Sequence, residues 1–255
     1  MSRIADPRIP LAEAAAVDGS VVFLEAGKEP GEALVPGARR VVLADFGGEE
    51  RADSGRLPLP EHAAFTAWLG GLGIGPDTAV VVVPATPRDL LVAARAWVTL
   101  RWAGVRTVRV LLAETGERLA AQGFRAPHRA GAAADFAIDP SVTADAEAVA
   151  ARPAETLLVD ARPAEAYGGA GEHIDGAVNV PSAAITEEGR LAEPDALRTA
   201  YAGALGAGFA EQPVIAYCGS GVAASVAALA LTTIDVPAAV YIGSWSEWSK
   251  RHAPA

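Results

Sequence analysis

An internal repeat limits the fold of this 255-residue chain more than any other feature of its sequence. Four landmarks of the first half recur in the second half, in the same order and at a nearly constant distance. The apolar run around Phe23, for example, recurs around Leu158, 135 residues later. Order and spacing make coincidence the weaker interpretation, and they indicate a duplicated domain of about 130 residues. The other matched pairs are a helix start at Pro60 and Pro194, the apolar runs 79–83 and 213–217, and the strand-like runs 108–111 and 239–242.

Within each half, short continuous apolar runs alternate with alanine-rich segments that favour helix. Strands buried on both faces give such continuous runs, which is typical of parallel sheets covered by helices. The sequence therefore predicts an α/β fold with two domains, each a mainly parallel sheet flanked by helices. We expect the first domain over residues 1–125, a proline-interrupted linker over 126–154 with one short helix, and the second domain over 155–255.

Composition argues against several other classes of protein. The net charge of −10 is spread along the chain without a basic block, so we expect no nucleic-acid partner. No apolar run approaches the ~20 residues of a membrane-spanning helix, and Asp6 and Pro7 stand where the apolar part of a secretory leader would begin. We therefore expect a cytoplasmic protein without membrane contact. No cluster of ligand residues and no nucleotide-binding glycine loop indicates a metal or an organic cofactor.

The only cysteine, Cys218, lies at a predicted strand–turn–helix junction. A single thiol excludes an intrachain disulfide, a cysteine-rich zinc site and a CxxC redox pair. The turn Gly219-Ser220-Gly221 allows successive backbone N–H groups to face one concavity, and the following helix N-terminus adds to its attraction for anions. A free cysteine is more often a buried structural residue, but such a residue needs no loop of this kind. The setting favours a thiolate, which is the nucleophilic form, and hence a functional Cys218.

Three chemistries of a lone cysteine can be compared. A phosphatase of the Cys-x5-Arg type needs an arginine six residues after the nucleophile, where this chain has Ala224. A Cys–His hydrolase needs a histidine base. Spacing excludes none of the four histidines, but none has a supporting local motif. A covalent persulfide needs neither the clamp nor the base, only a loop of N–H donors around the sulfur. The histidines are His62, His128, His173 and His252.

The loop sequence Cys218-Gly219-Ser220-Gly221-Val222 resembles the active-site loop of 3-mercaptopyruvate sulfurtransferases in the tandem-domain rhodanese family. This resemblance extends over nearly the whole chain. In the second half, the similar stretches are 158–162, which ends in Asp-x-Arg, 173–181, which reads His-Ile-Asp-Gly-Ala-Val-Asn-Val-Pro, and 243–248. In the first half, stretches 34–38, 54–60 and 94–97 are similar to the family's inactive N-terminal copy.

The resemblance implies a sulfurtransferase whose catalytic centre lies in the second domain only, since Pro84 stands in the first domain where Cys218 would fall. It implies a small sulfur donor such as 3-mercaptopyruvate or thiosulfate, a persulfide on Cys218, and an acceptor such as cyanide, a small thiol or thioredoxin. Ser220 would be a second catalytic residue that polarises the donor. The loop backbone would cradle the anion through Gly219, Gly221, Val222 and Ala223.

The chain departs from the family where relatives place a donor-binding arginine, because Ala166 occupies that position. A lost charged hydrogen bond of this kind costs on the order of 1.5–3 kcal/mol. We therefore expect Arg56 or Arg88, from the first domain, to contact the donor instead. Asp160 and Arg162 are expected to brace the second domain rather than to react. Two alternatives remain open at this stage: a persulfide carrier loaded by a partner enzyme, and a non-catalytic binding module.

Overall fold

The computed structural model describes residues 7–132, 134–168 and 172–252, so Asp6, one of the two residues that argue against a secretory leader, lies outside the described residues. The first half alternates strands and helices. Its elements are α1 (Leu11–Ala15), β1 (Val21–Ala26), β2 (Arg39–Val41), α2 (His62–Gly71), β3 (Ala79–Pro84), α3 (Leu90–Ala103), β4 (Thr107–Val110) and α4 (Gly116–Ala121).

The second half follows the same plan with one extra hairpin. Its elements are β5 (Thr143–Ala144), α5 (Ala146–Ala150), β6 (Leu157–Asp160), α6 (Ala164–Tyr167), β7 (Ala177–Asn179), β8 (Thr186–Glu187), β9 (Arg190–Leu191), α7 (Pro194–Leu205), β10 (Val214–Tyr217), α8 (Val222–Thr233), β11 (Ala238–Tyr241) and α9 (Ser244–Arg251). Strands β8 and β9 form a separate antiparallel pair.

Each half contains one sheet in which every strand pair is parallel. The first sheet has the order β2-β1-β3-β4, and the second has the order β5-β11-β10-β6-β7. The six residues of β1 are all buried, as the continuous apolar run predicts for a central strand covered on both faces. The prediction of an α/β fold with two mainly parallel sheets flanked by helices is confirmed.

The strand orders also confirm the duplication. Strands β2, β1, β3 and β4 of the first sheet correspond in order to β7, β6, β10 and β11 of the second. The register agrees as well, because Phe23 pairs with Val81 in the first sheet while Leu158 pairs with Ile215 in the second. Strands β1 and β6 each carry a buried carboxylate at or next to their last residue, Glu25 in one half and Asp160 in the other.

The predicted linker contains regular structure. Strand β5 lies within the predicted 126–154 segment and pairs with β11 of the second sheet, and α5 follows where a short helix was expected. The isolated bridge between Arg8 and Val110 is the parallel counterpart of this edge pairing in the first half. The division into 1–125, 126–154 and 155–255 stays a prediction, and this pairing favours assigning residues from Thr143 onward to the second domain.

The two halves pack through α3 and α8, which contribute to one continuous buried cluster. Both helices are rich in alanine, and small side chains allow two helix backbones to approach closely. Helix α8 begins directly after the Cys218 loop. The packing of α8 on α3 therefore brings the first half against the buried side of the loop. Of the helices in the described ranges, none is long and apolar enough to cross a membrane.

Candidate active site

Cys218 lies at the carboxyl end of β10, which is flanked by β11 and β6 in the second sheet. The ends of parallel strands near the middle of a sheet are the usual binding edge of α/β proteins. The residue is only 3% exposed and is a free thiol. The corresponding position of the first half is Pro84, the last residue of β3, which has no side-chain nucleophile.

The loop after Cys218 turns directly into helix α8. Gly221 is the residue before the helix and has φ of +82°, a left-handed conformation that glycine adopts without strain. A Cβ at this position would lie 2.7 Å from the carbonyl oxygen of Ile242, so only glycine fits. Gly219, the other glycine of the loop, does not have a positive φ.

The backbone N–H groups from Gly219 to Ala223 donate no hydrogen bond within the described part of the chain. The first N–H groups of a helix have no acceptor within it, and together with the positive end of the helix dipole they attract an anion. Five successive backbone N–H groups, in the loop and at the start of α8, are therefore free to donate to a ligand. The role of these N–H groups as a cradle for an anionic sulfur stays a prediction.

The start of helix α9 holds the other side of the loop. The amides of Trp245 and Ser246 donate to the carbonyl oxygens of Cys218 and Gly219, at 2.9 and 3.1 Å. The N–H of Cys218 donates to the hydroxyl oxygen of Ser244 at 3.1 Å, and that hydroxyl donates to the carbonyl of Tyr241 at 2.7 Å. These bonds engage the loop carbonyls and leave its later N–H groups free.

A buried ion pair braces the strand beside the loop. Both carboxylate oxygens of Asp160 accept hydrogen bonds from Arg162, at 2.6–3.0 Å, and the two residues are 0% and 7% exposed. The Arg162 guanidinium stacks over the Trp245 ring at 4.8 Å. The side-chain amide of Asn179 donates to the carbonyls of both Asp160 and Arg162 at 2.9 Å. The expected bracing role of Asp160 and Arg162 agrees with this geometry.

Arg56 reaches the loop from the first half. Its Nη2 lies 3.0 Å from the point where a Cβ on Gly219 would stand, and its backbone N–H donates to Ser246 Oγ at 3.0 Å. The side chain is otherwise exposed. Its neighbour Gly55 packs so closely on Gly243 that a Cβ there would lie 2.5 Å from the Gly243 carbonyl oxygen, which fixes this contact between the halves.

Arg88, the other candidate for donor binding, has a different setting. It is exposed, and its backbone nitrogen lies 3.3 Å from the position of a Cβ on Gly189, in the turn of the β8–β9 hairpin. Ala166 is exposed on helix α6 and contributes no charge. Of the two arginines proposed from the sequence, the structure thus brings Arg56 against the Cys218 loop and places Arg88 against the hairpin.

The remaining candidates from the sequence are Ser220 and the four histidines. Ser220 is half-buried, and its hydroxyl makes no hydrogen bond to any described residue, so it is available to a ligand. Three of the four histidines contact backbone carbonyl oxygens instead of the thiol. His62 Nε2 lies 3.1 Å from Ala103 O, His173 Nδ1 3.2 Å from Tyr167 O, and His252 Nδ1 3.0 Å from Trp248 O.

A cleft of about 530 Å³ runs between the halves beside the Gly55–Gly243 contact. Arg51, Asp53, Glu247 and Arg251 line it together with apolar residues, and Cys218 does not. Across residues 7–132, 134–168 and 172–252, no group of three or more metal-ligand side chains is gathered at one place.

Ser244 is a site residue that sequence reasoning missed. It is fully buried and has φ of +53°, which is uncommon for a residue with a side chain. The sequence offers one signal, the Gly243-Ser244 pair directly after the last strand. The bond to Cys218, 26 residues earlier, depends on the pairing of β10 with β11 and is not visible in a local pattern.

Two parallel α/β units, with one free thiol in the loop between a central strand and a helix of the second unit, define the class of this protein. A family model described as a rhodanese-like domain matches residues 145–251. The 3-mercaptopyruvate sulfurtransferase of Escherichia coli is 33% identical over 210 residues, which cover 76% of this chain and 73% of the relative. The thiosulfate sulfurtransferase of Rattus norvegicus is 33% identical over 251 residues, which cover 90% and 82%.

A solved structure agrees with these relatives. The crystal structure of SseA from Escherichia coli matches with a TM-score of 0.71 at 29% identity, covering 93% of this chain and 97% of that one. The chain belongs to the tandem-domain rhodanese family, and it is a sulfurtransferase. The resemblance inferred from the loop sequence is therefore confirmed, and the alternative of a non-catalytic binding module is set aside.

Proposed function

We propose that the chain moves sulfane sulfur from a small anionic donor, of the 3-mercaptopyruvate or thiosulfate kind, through a persulfide on Cys218 to a thiol or cyanide acceptor. The observation that carries this proposal is the set of free N–H groups from Gly219 to Ala223 that directly follows the only cysteine of the chain. Relatives that are 33% identical carry the names of both donors. A single thiol that must stay reduced supports a cytoplasmic location.

In the first half-reaction, the Cys218 thiolate attacks the sulfane sulfur of the donor. A new sulfur–sulfur bond forms, and the donor's bond to that sulfur breaks. The bonding pair leaves with sulfite when the donor is thiosulfate, or with the enolate of pyruvate, which then takes a proton, when the donor is 3-mercaptopyruvate. Ser220, whose hydroxyl is unengaged by the described residues, donates to the departing group.

In the second half-reaction, the acceptor attacks the outer sulfur of the persulfide. The persulfide bond breaks, its electron pair returns to Cys218, and the sulfur leaves as a thiocyanate or as a persulfide of the acceptor thiol. Between the two steps, the terminal sulfur carries a negative charge, and the N–H groups of Gly219, Gly221, Val222 and Ala223 stabilise it. Fixed donors aimed at a developing charge need no rearrangement during the reaction.

We further propose that Arg56 binds the donor in place of the arginine that the family has at the position of Ala166. Its guanidinium lies against Gly219, on the exposed side of the loop from which a donor approaches. Arg88 is the weaker of the two proposals because its backbone contacts the hairpin turn. We expect Arg56→Ala to raise the KM for carboxylate donors about tenfold, the low end for a lost charged hydrogen bond at an exposed site.

Arg88→Ala is measured in the same way. Arg51→Ala is the control, since Arg51 is an exposed arginine of the same segment as Arg56 and pairs with Asp53. Unchanged donor kinetics in both Arg56→Ala and Arg88→Ala would dismiss the donor-binding role of these residues. An effect of equal size in Arg51→Ala would assign the loss to the general positive charge of the surface.

The function is tested with a donor panel in which wild type and Cys218→Ser are assayed in parallel for sulfur release to cyanide and to a small thiol. We expect turnover in the wild type with at least one small donor and none in the variant. Full activity in Cys218→Ser would overturn the proposal. A persulfide carrier is the alternative, since the chain has Ala166 where the family has a donor-binding arginine. Negligible turnover with every small donor, together with transfer of sulfur from a cysteine desulfurase to Cys218, would support that alternative.

A further inference from the structure

One charged side chain lies fully buried at the junction of the two halves. Arg95 occupies the middle of helix α3, is 0% exposed, and is surrounded in sequence by apolar residues. Burying a cation costs several kcal/mol unless an opposite charge or a full set of acceptors compensates it. Packing alone therefore does not explain why an arginine is buried at this position.

The hydrogen bonds of Arg95 engage only two of the three nitrogen atoms of its guanidinium group. Nε donates to the carbonyl of Phe46 at 3.2 Å, and Nη2 donates to the carbonyls of Phe46, Leu57 and Pro58 at 3.0–3.2 Å. These bonds hold loops of the first half. Nη1 is also buried, yet it has no hydrogen-bond acceptor among the described residues.

The free Nη1 faces the Cys218 loop. It lies 3.0 Å from the point where a Cβ on Gly221 would stand, next to the carbonyl of Ile242. Burial lowers the pKa of Arg95 to about 10, while its electrostatic interaction with Cys218 acts in the opposite direction. The side chain therefore keeps its positive charge at neutral pH, and the group that raises its pKa against the effect of burial is Cys218.

We propose that Arg95 is a positioning residue for the reaction, a buried cation from the first domain that stabilises the anionic thiolate and persulfide forms of Cys218 from beneath the loop. The first domain, which has Pro84 where the second has Cys218, supplies this charge instead of a nucleophile. The inference rests on the proposed function in taking Cys218 as the nucleophile.

Other charged groups near Cys218 do not replace Arg95. Arg56 lies on the exposed side of Gly219, where water screens its charge. Arg162 is already neutralised by the carboxylate of Asp160. Arg95 is the cation whose free N–H lies on the protein side of the loop, where the low dielectric makes a charge more effective.

The test compares two alkylating reagents of similar size on Cys218, anionic iodoacetate and neutral iodoacetamide. A positive charge at the thiol accelerates the anionic reagent relative to the neutral one, whereas a purely structural change affects both alike. We expect Arg95→Met to lower the ratio of the two rates about tenfold, and Arg95→Lys, which keeps the charge, to stay within about threefold of wild type. The readout needs no sulfur transfer, so it can fail or succeed independently of the proposed activity.

Arg101→Met is the matched control. Arg101 lies on the same helix, but its guanidinium stacks over Trp97 at 4.5 Å and its charge interacts with Asp139. An unchanged ratio in folded Arg95→Met would overturn the proposal. An equal fall in Arg95→Lys or in Arg101→Met would overturn it as well, because the effect would then follow packing instead of the charge at this position.

If Arg95→Met does not fold, the proposal is tested on the wild-type protein instead. The side-chain N–H resonances of Arg95 are followed by NMR while iodoacetamide converts the Cys218 thiolate into a neutral thioether. We expect the Arg95 resonances to shift and those of Arg101 to stay in place. Arg95 resonances that do not respond to the loss of the thiolate would contradict the proposal.

Discussion

The hydroxyl oxygen of Ser244 accepts a hydrogen bond from the backbone N–H of Cys218 at 3.1 Å, and both residues are buried. This bond joins the end of β10 to the beginning of α9. It fixes the nucleophile at the point where its chain leaves the sheet, and it uses a hydroxyl whose own proton is given to Tyr241. The orientation of the loop thus depends on a residue that performs no chemistry.

Removing this hydroxyl should destabilise the protein. Ser244→Ala leaves the buried N–H of Cys218 without an acceptor, which costs about 1–3 kcal/mol in the free energy of unfolding. Urea unfolding measures this. Ser246→Ala is the control, since its hydroxyl accepts from the N–H of exposed Arg56 and should cost about 1 kcal/mol or less. Equal stabilities of the two variants would contradict the role assigned to Ser244.

Gly221 should tolerate no side chain. Gly221→Ala places a Cβ 2.7 Å from the Ile242 carbonyl at a φ of +82°. Gly123→Ala is a matched control, with φ of +73° and nothing within 4 Å of the added atom. The control should lose about 1–2 kcal/mol from the left-handed conformation alone, and Gly221→Ala about 1–3 kcal/mol more from overpacking. Urea unfolding of the two variants measures the difference, and equal losses would show that the loop can move away.

The Asp160–Arg162 pair should be far more sensitive than a surface pair. Asp160→Asn leaves the buried Arg162 without its counter-charge, and we expect the free energy of unfolding to fall by about 3–5 kcal/mol. Asp53→Asn breaks a pair of the same sequence spacing whose side chains are 72% and 80% exposed, and should change stability by about 1 kcal/mol or less. Denaturant titrations of both variants provide the comparison. A loss in Asp160→Asn no larger than that in Asp53→Asn would mean that the pair braces nothing.

Much of this architecture could be predicted from the sequence because the repeat and the apolar runs are local patterns. Strands β1, β3, β6 and β10 follow continuous apolar runs, and Cys218 was placed correctly at the end of β10. Strands β5 and β7 and the β8–β9 hairpin have only two or three residues each, which is too short for periodicity to identify them.

The contacts that complete the site could not be predicted in the same way. Ser244 and Arg95 reach the Cys218 loop only after the second sheet has formed and α3 has packed on α8. The sequence holds one hint of Arg95, a charge within an otherwise apolar helical stretch. A pattern of that kind indicates that a residue is unusual, but the partner of its charge is set by the packing of the two domains.

The central claim is that Cys218 carries the transferred sulfur, and intact-protein mass spectrometry tests it most directly. Wild type and Cys218→Ser are incubated with thiosulfate or 3-mercaptopyruvate without acceptor, and then digested to locate any added mass. We expect the wild type to become heavier by one sulfur atom on the peptide that contains Cys218, to lose that sulfur on addition of cyanide, and the variant to remain unchanged. Turnover of the donor without any added sulfur on Cys218, or the same adduct in Cys218→Ser, would contradict the account.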